Sequence, residues 1–118
     1  MYPLKFEPYL REMVWGGEKI APFKGIKTKQ HNIGESWEIS AVLGCVSVVS
    51  NGTFAGKSLT EVMNEYGPEL VGRKVFAKTG TEFPLLIKFI DAKSDLSIQV
   101  HPNDELAAKT HPGMKGKT

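Results

Sequence analysis

The chain has 118 residues, enough for one domain and not comfortably two. Hydrophobic residues make up 41% and charged residues 24%, ordinary for a soluble globular protein, and a net charge of +2 is too small to argue for nucleic acid or a membrane surface as partner. The single cysteine, Cys45, excludes an internal disulfide and suits a reducing compartment. No apolar run approaches transmembrane length, and Met1-Tyr-Pro-Leu-Lys-Phe-Glu7 lacks the apolar core of a signal peptide, so a cytoplasmic location is expected.

In chain order the elements read mostly as strands and turns. Residues 2–10 mix prolines with apolar residues and read as extended, and Trp15-Gly16-Gly17 reads as a turn. Residues 22–32 are polar without periodicity and read as a loop. Glu35-Ser-Trp-Glu-Ile-Ser-Ala41 alternates and predicts a strand. Cys45 lies in the apolar run 42–49, which makes it a small buried hydrophobe rather than a reactive thiol. Residues 45–50 are rich in β-branched valine and end at Asn51-Gly52, a hairpin signal, with 53–55 as the short return strand. Ser58-Leu-Thr-Glu61 is a capping box, and Leu59, Val62, Met63 and Tyr66 follow at helical spacing until Gly67-Pro68 stops the helix. Residues 83–90 form a strongly apolar strand. Asn103 or Asp104 caps a short helix through Lys109, closed by His111-Pro112-Gly113. The predicted fold class is therefore mainly β, with one or two short helices.

The most informative stretch is Asp95-Leu-Ser-Ile-Gln-Val-His101-Pro-Asn-Asp104. Leu96, Ile98 and Val100 point one way, and Ser97, Gln99 and His101 the other. Pro102 ends the ladder because it has no N–H to donate, which leaves His101 at a strand end. Such a face either lines a pocket or is the solvated side of an edge strand. If residues 92–95 form a hairpin loop, Lys88 pairs with Gln99 and Leu86 with His101. Lys88 then joins Ser97, Gln99 and His101 on one surface. It is the only charged side chain in the apolar run 83–90, so it either snorkels to solvent or meets an anion.

A neutral imidazole is the commonest zinc ligand, and a glutamine carbonyl can join it. Gln99 and His101 start about 7 Å apart along a strand, a separation that allows both to reach one ion. Zinc takes about four ligands, however, and this strand offers two. Asp104, Glu105 and His111 stand nearby in sequence, but the spacing of His101 and His111 matches no compact zinc motif. The tail Gly113-Met-Lys-Gly116-Lys-Thr118 looks like the end of a phosphate-binding loop. That motif needs glycine where this chain has His111, and no apolar strand precedes it.

The stretch from Phe83 to Asp104, with Gln99-Val-His-Pro-Asn-Asp104 at its end, closely resembles the signature of type I phosphomannose isomerases. Three further segments agree in order: Glu12-Met-Val-Trp-Gly-Gly17, Gly34-Glu-Ser-Trp-Glu-Ile-Ser40 and Gly116-Lys-Thr118. The resemblance spans essentially the whole chain and looks nearest to the shorter bacterial branch. It implies an incomplete cupin-type, jelly-roll-like β-sandwich, with residues 1–118 as the N-terminal part of a single isomerase domain. It also implies a zinc-dependent enzyme that interconverts mannose 6-phosphate and fructose 6-phosphate by moving a proton between C1 and C2 through an enediol(ate). By position, His101 would be a zinc ligand, and Gln99 is one in some branches. Ser97 would contact the substrate, at its phosphate. Lys88, Trp15 and Glu35 would line the substrate pocket, with Lys117 there as the catalytic residue.

The chain departs from the family in length. The resemblance places a glutamate ligand just past Thr118 and a further histidine ligand and a catalytic arginine later still, so one zinc ion per complete site would need residues beyond this sequence. The expectation is an N-terminal piece, either a truncated product or one part of a larger assembly, with negligible isomerase activity alone. Unpaired strand edges would invite self-association. The alternative is a non-catalytic sugar-phosphate-binding or regulatory cupin module that kept the fold and lost the full metal site.

Overall fold

The computed structural model describes residues 1–113 and 116. Lys117, expected as a catalytic residue, lies outside the described residues. Three strands form one antiparallel sheet in the order β1 (Tyr9–Gly17), β2 (Ile33–Ile39), β3 (Ile87–Ile90), so β2 is central. Among the described residues four α-helices accompany them: α1 (Ile20–Lys24), α2 (Leu59–Val71), α3 (Arg73–Thr79) and α4 (Asp104–Thr110). This is more helix than the alternation and capping signals predict. The helix over Arg73–Thr79 carries no such signal, and residues 20–24 fall partly in the expected loop.

The core is small. It gathers Ile20, Ile33, Trp37, Val49, Leu59, Val62, Met63 and Ala107, with Ser36, Ser40 and Ser47 buried among them. The buried serines are satisfied locally: Ser47 Oγ accepts from the Ser40 N–H at 2.9 Å, and Ser40 Oγ accepts from the Val42 N–H at 3.1 Å. Helix α2 supplies its predicted apolar stripe. Its capping box forms in both directions, with Ser58 Oγ accepting from the Glu61 N–H and the Glu61 carboxylate accepting from the Ser58 N–H. In α4 the Asn103 side chain accepts from the Leu106 N–H, as expected of an N-cap.

Several expected boundaries move. Gly67-Pro68 does not end α2; the helix kinks at Tyr66 (φ −135°) and runs on to Val71. Proline removes one N–H and crowds the carbonyl four residues back, which bends a helix without stopping it when packing continues beyond. Here packing does continue, with the Phe76 ring lying against Gly67. Asn51-Gly52 does not make a two-residue hairpin. Such a turn needs positive φ at both central residues, and Asn51 is extended at φ −136°. Its side chain and its backbone carbonyl are taken up instead by the N-terminal segment: Asn51 Oδ1 accepts from the Lys5 N–H, and Tyr2 Oη donates to the Asn51 backbone carbonyl at 2.8 Å. The chain then enters a 3₁₀ turn, Gly52–Phe54, in place of a return strand. Cys45 is half-buried.

Trp15-Gly16-Gly17 is the end of β1 rather than a turn. The glycines serve close backbone approach: a Cβ on Gly16 would stand 2.0 Å from the Asn32 carbonyl oxygen. The strand expected over 83–90 shortens to Ile87–Ile90, and residues 95–101 form no strand. The expected 88-to-99 hairpin register is therefore absent, and β3 forms an edge of the sheet. The alternation of 96–100 needs a sheet and a core to face. Ile98 is 100% exposed and Val100 93%, so neither cross-strand bonds nor burial hold this stretch as a ladder among the described residues. No helix of the described residues is long and apolar enough to cross a membrane.

Gly16→Ala is expected to force β1 away from residues 32–34 and to cost about 1–3 kcal/mol of stability. Urea denaturation checks this; an unchanged midpoint would contradict the close approach.

Candidate functional site

The alternation of β2 separates its side chains cleanly. Glu35 and Trp37 share one face; Ser36 and Glu38 share the other. The register then assembles two rows across the sheet. Tyr9, Trp37 and Lys88 are opposed in one row, and Arg11, Glu35 and Ile90 in the next. Directly opposed residues face the same way. The sheet thus gathers one acid, two bases and an indole from three strands far apart in sequence.

Their geometry is specific. Lys88 Nζ donates to Glu35 Oε1 at 2.7 Å, and the Trp37 Nε1–H donates to Glu35 Oε2 at 2.7 Å. Arg11 Nη1 lies 3.8 Å from Glu35 Oε2. The Arg11 guanidinium sits 4.9 Å from the Trp37 ring centroid and the Lys88 ammonium 5.7 Å from it, both within cation–π range. Glu35 is only 7% exposed. Burial by itself pushes its carboxyl up. The Lys88 and Trp37 hydrogen bonds and the two positive charges outweigh that and hold it below the ordinary carboxylate range.

The other face of β2 carries a second ion pair. Lys24 Nζ pairs with Glu38 Oε2, and Ser36 Oγ donates to Glu38 Oε1 at 2.6 Å. Lys24 also lies over the Phe89 ring at 5.6 Å, and Phe89 meets Phe23 edge-on at 5.7 Å. A shallow groove of about 440 Å³ opens beside this pair, along Lys19, Ile20, Phe23 and 89–92.

Of the residues singled out in the sequence, Glu35 and Lys88 are brought together directly. Ser97 and Gln99 are also joined, Gln99 Nε2 donating to Ser97 Oγ at 3.1 Å, which keeps the expected two-residue spacing of one face. Both lie with His101 on the exposed stretch 95–101. Trp15 is placed elsewhere: its ring lies against Gly34, and its carbonyl accepts from the Lys93 N–H at 2.8 Å. Arg11 and Trp37 are the members that sequence reasoning missed. The Glu-x-Trp alternation carried a signal for Trp37, since residues two apart on a strand share a face. Arg11 carried none, because its place follows from the β1–β2 register alone.

For a metal ion, Gln99 and His101 are donors of suitable chemistry. Among the described residues, however, no group of three or more histidine, cysteine, aspartate or glutamate side chains stands ready to hold one. Two donors do not make a zinc centre, which takes about four. The described residues by themselves do not fit a complete site.

Comparison with known proteins bears on this arrangement. Residues 4–115 match the family model described as phosphomannose isomerase type I, catalytic domain. A probable mannose-6-phosphate isomerase, GmuF, from Bacillus subtilis is 41% identical over 117 residues, covering 99% of this chain and 36% of that protein. The mannose-6-phosphate isomerase of Streptococcus mutans is 37% identical over 117 residues, covering 98% of this chain and 35% of its own length. Among solved structures, the mannose 6-phosphate isomerase of Bacillus subtilis superposes with a TM-score of 0.81 at 37% identity, over 98% of this chain and 35% of that one. A point mutant of the Salmonella typhimurium phosphomannose isomerase gives 0.70 at 28% identity, over 90% of this chain and 27% of that one. The chain spans about a third of the length of the curated relatives it matches. These matches agree with the mainly-β, cupin-type class expected from the sequence.

Replacing Lys88 by Met leaves the Glu35 carboxylate buried with its principal counter-charge gone. The expected cost is about 1–3 kcal/mol. Because the folded Glu35 carboxyl lies below its unfolded value, its contribution is fully present above that value, about pH 4, and is lost as pH falls through the folded one. In Glu35→Gln this part of the acid loss should vanish. A residual slope from Glu61 remains, since hydrogen bonds from Ser58 also hold that carboxyl low. Thermal melts from pH 7 to pH 2 check both. Identical acid limbs in wild type and Glu35→Gln would contradict the assignment.

Proposed function

The chain belongs to the type I phosphomannose isomerase family, and on that premise we propose that it forms part of a mannose-6-phosphate isomerase and presents a fixed, charged lysine, Lys88, to a sugar phosphate. The observation that carries this reading is the Lys88–Glu35 pair at 2.7 Å on a sheet face. An ammonium has three donors, and Glu35 takes one of them. The Lys88 side chain is 27% exposed, so its remaining donors have a route to a ligand oxygen. Glu35, held ionised and almost fully buried, anchors the lysine and keeps its charge.

The reaction is the reversible conversion of mannose 6-phosphate to fructose 6-phosphate, in which a proton moves between C1 and C2 through an enediol(ate). Lys88 stabilises negative charge on ligand oxygens, and Ser97 supplies a hydroxyl to the phosphate. Lys117 takes the catalytic role that the resemblance implies, and Trp15, whose ring lies against Gly34 rather than at the Glu35–Lys88 pair, would line a different part of the substrate pocket. His101, with Gln99 beside it, supplies donors toward zinc, which when bound would polarise the sugar oxygens. The described residues offer too few donors for that ion alone. That shortfall supports the expectation of an inactive isolated chain and favours, as a second reading, a sugar-phosphate-binding module without catalysis.

A coupled assay separates these readings. The 118-residue chain with added zinc is expected to convert mannose 6-phosphate no faster than background. Titration with mannose 6-phosphate is expected to shift the Lys88 side-chain NMR signals. Turnover near that of a full-length isomerase would overturn the inactivity, and an unmoved Lys88 would overturn the binding role.

A further inference from the structure

The geometry points to Trp37 as the positioning residue of the Glu35–Lys88 pair. The inference rests on the reading of that pair as sugar-phosphate-binding, and goes beyond it by naming what holds the pair in place. Trp37 is 6% exposed and touches all three charged members of the cluster. Its Nε1–H bonds Glu35 Oε2 at 2.7 Å, and its ring lies 4.9 Å from the Arg11 guanidinium and 5.7 Å from the Lys88 ammonium.

The two carboxylate oxygens have different partners. Oε1 takes the Lys88 ammonium at 2.7 Å. Oε2 takes the indole N–H, and its other neighbour, Arg11, stands at 3.8 Å, beyond hydrogen-bond distance. The terminal torsion of a glutamate is broad and nearly two-fold, so a single lysine contact does not fix the plane of the carboxylate. A second, directional donor on the opposite oxygen does. The indole N–H is that donor. It is neutral, so it selects an orientation without drawing Lys88 away by repulsion or competing for an incoming phosphate. The indole is itself fixed by its place in the sheet, opposed to Tyr9 on one side and Lys88 on the other, with the Tyr9 ring 6.2 Å away. Fixing the carboxylate plane in turn fixes where the ammonium sits.

Among the described residues, the charged and titratable groups facing Glu35 are Lys88 from β3 and Arg11 from β1. Tyr9 from β1 faces Trp37. None of them replaces the indole N–H as a short-range partner of Oε2.

The test uses the ligand-free 118-residue chain, so its outcome is independent of whether mannose 6-phosphate binds. The chain has two tryptophans, and the indole N–H signals are assigned with Trp15→Phe. The Trp37 indole proton is expected far downfield and slow to exchange, and Glu35→Ala is expected to remove both properties. In a chain carrying benzothienylalanine at position 37 on the Trp15→Phe background, the ring shape stays and only the N–H is lost. There the Glu35 carboxyl titration is expected to move upward and the Lys88 Cε signal to broaden or shift, with the circular dichroism spectrum unchanged. A purely space-filling Trp37 would leave the Glu35 titration and the Lys88 signal where they are. That result, or a Trp37 indole proton exchanging as fast as free indole, would overturn the inference. Failure of mannose 6-phosphate to shift Lys88 would count only against the binding reading.

Discussion

A buried carboxylate is the constraint around which this sheet is arranged. Taking Glu35 out of water costs several kcal/mol unless charge and hydrogen bonds are returned to it. The structure returns them from three strands: Lys88 from β3, Trp37 from β2 and Arg11 from β1. Lys88 and Arg11 are delivered by cross-strand register, and Trp37 by the two-residue alternation of β2 itself. A one-residue slip of either outer strand would turn Lys88 or Arg11 to the other face and strand the carboxylate. Electrostatics and register therefore enforce each other. On the reverse face Glu38 is matched by Lys24 from α1 and by Ser36 two residues away on β2, so there the packing of a helix rather than strand register supplies the counter-charge. With an ion pair on each face, β2 is specified by charge as well as by burial.

This arrangement also separates stability from availability. Glu35 carries the burial and Lys88 keeps part of its surface open. An exposed lysine alone would be a mobile point charge with large rotamer entropy to lose on binding an anion. Anchored on a fixed carboxylate and lying over an indole ring, it has already lost much of that freedom. Such preorganisation is what a sugar-phosphate site needs from a cation.

Local signals in the sequence were read correctly where the partner lay within a few residues. The Ser58/Glu61 box, the Asn103 cap and the alternation of Glu35-Ser-Trp37 all depend on neighbours two or three positions away. Features decided by distant partners were not legible. Asn51 is claimed by Tyr2 and Lys5 across 46 to 49 residues, which displaces the expected hairpin turn. Trp15-Gly16-Gly17 reads as a turn only until Asn32 is known to press against Gly16. The 95–101 stretch kept its alternation, seen in the Gln99–Ser97 contact, yet finds no ladder among the described residues. Of the candidate site, the resemblance put Glu35 and Lys88 in one pocket without pairing them, the Glu-x-Trp alternation carried a signal for Trp37, and Arg11 became visible only with the register. Lys117 lies outside the described residues.

The central claim is that Lys88, fixed by Glu35, is the cation that meets a sugar phosphate. A crystal structure of the chain soaked with mannose 6-phosphate tests it most directly. The account predicts the Lys88 ammonium bridging the Glu35 carboxylate and a ligand oxygen, with the Trp37–Glu35 hydrogen bond retained. A ligand bound elsewhere, with the Lys88–Glu35 pair turned away from it, would contradict the account.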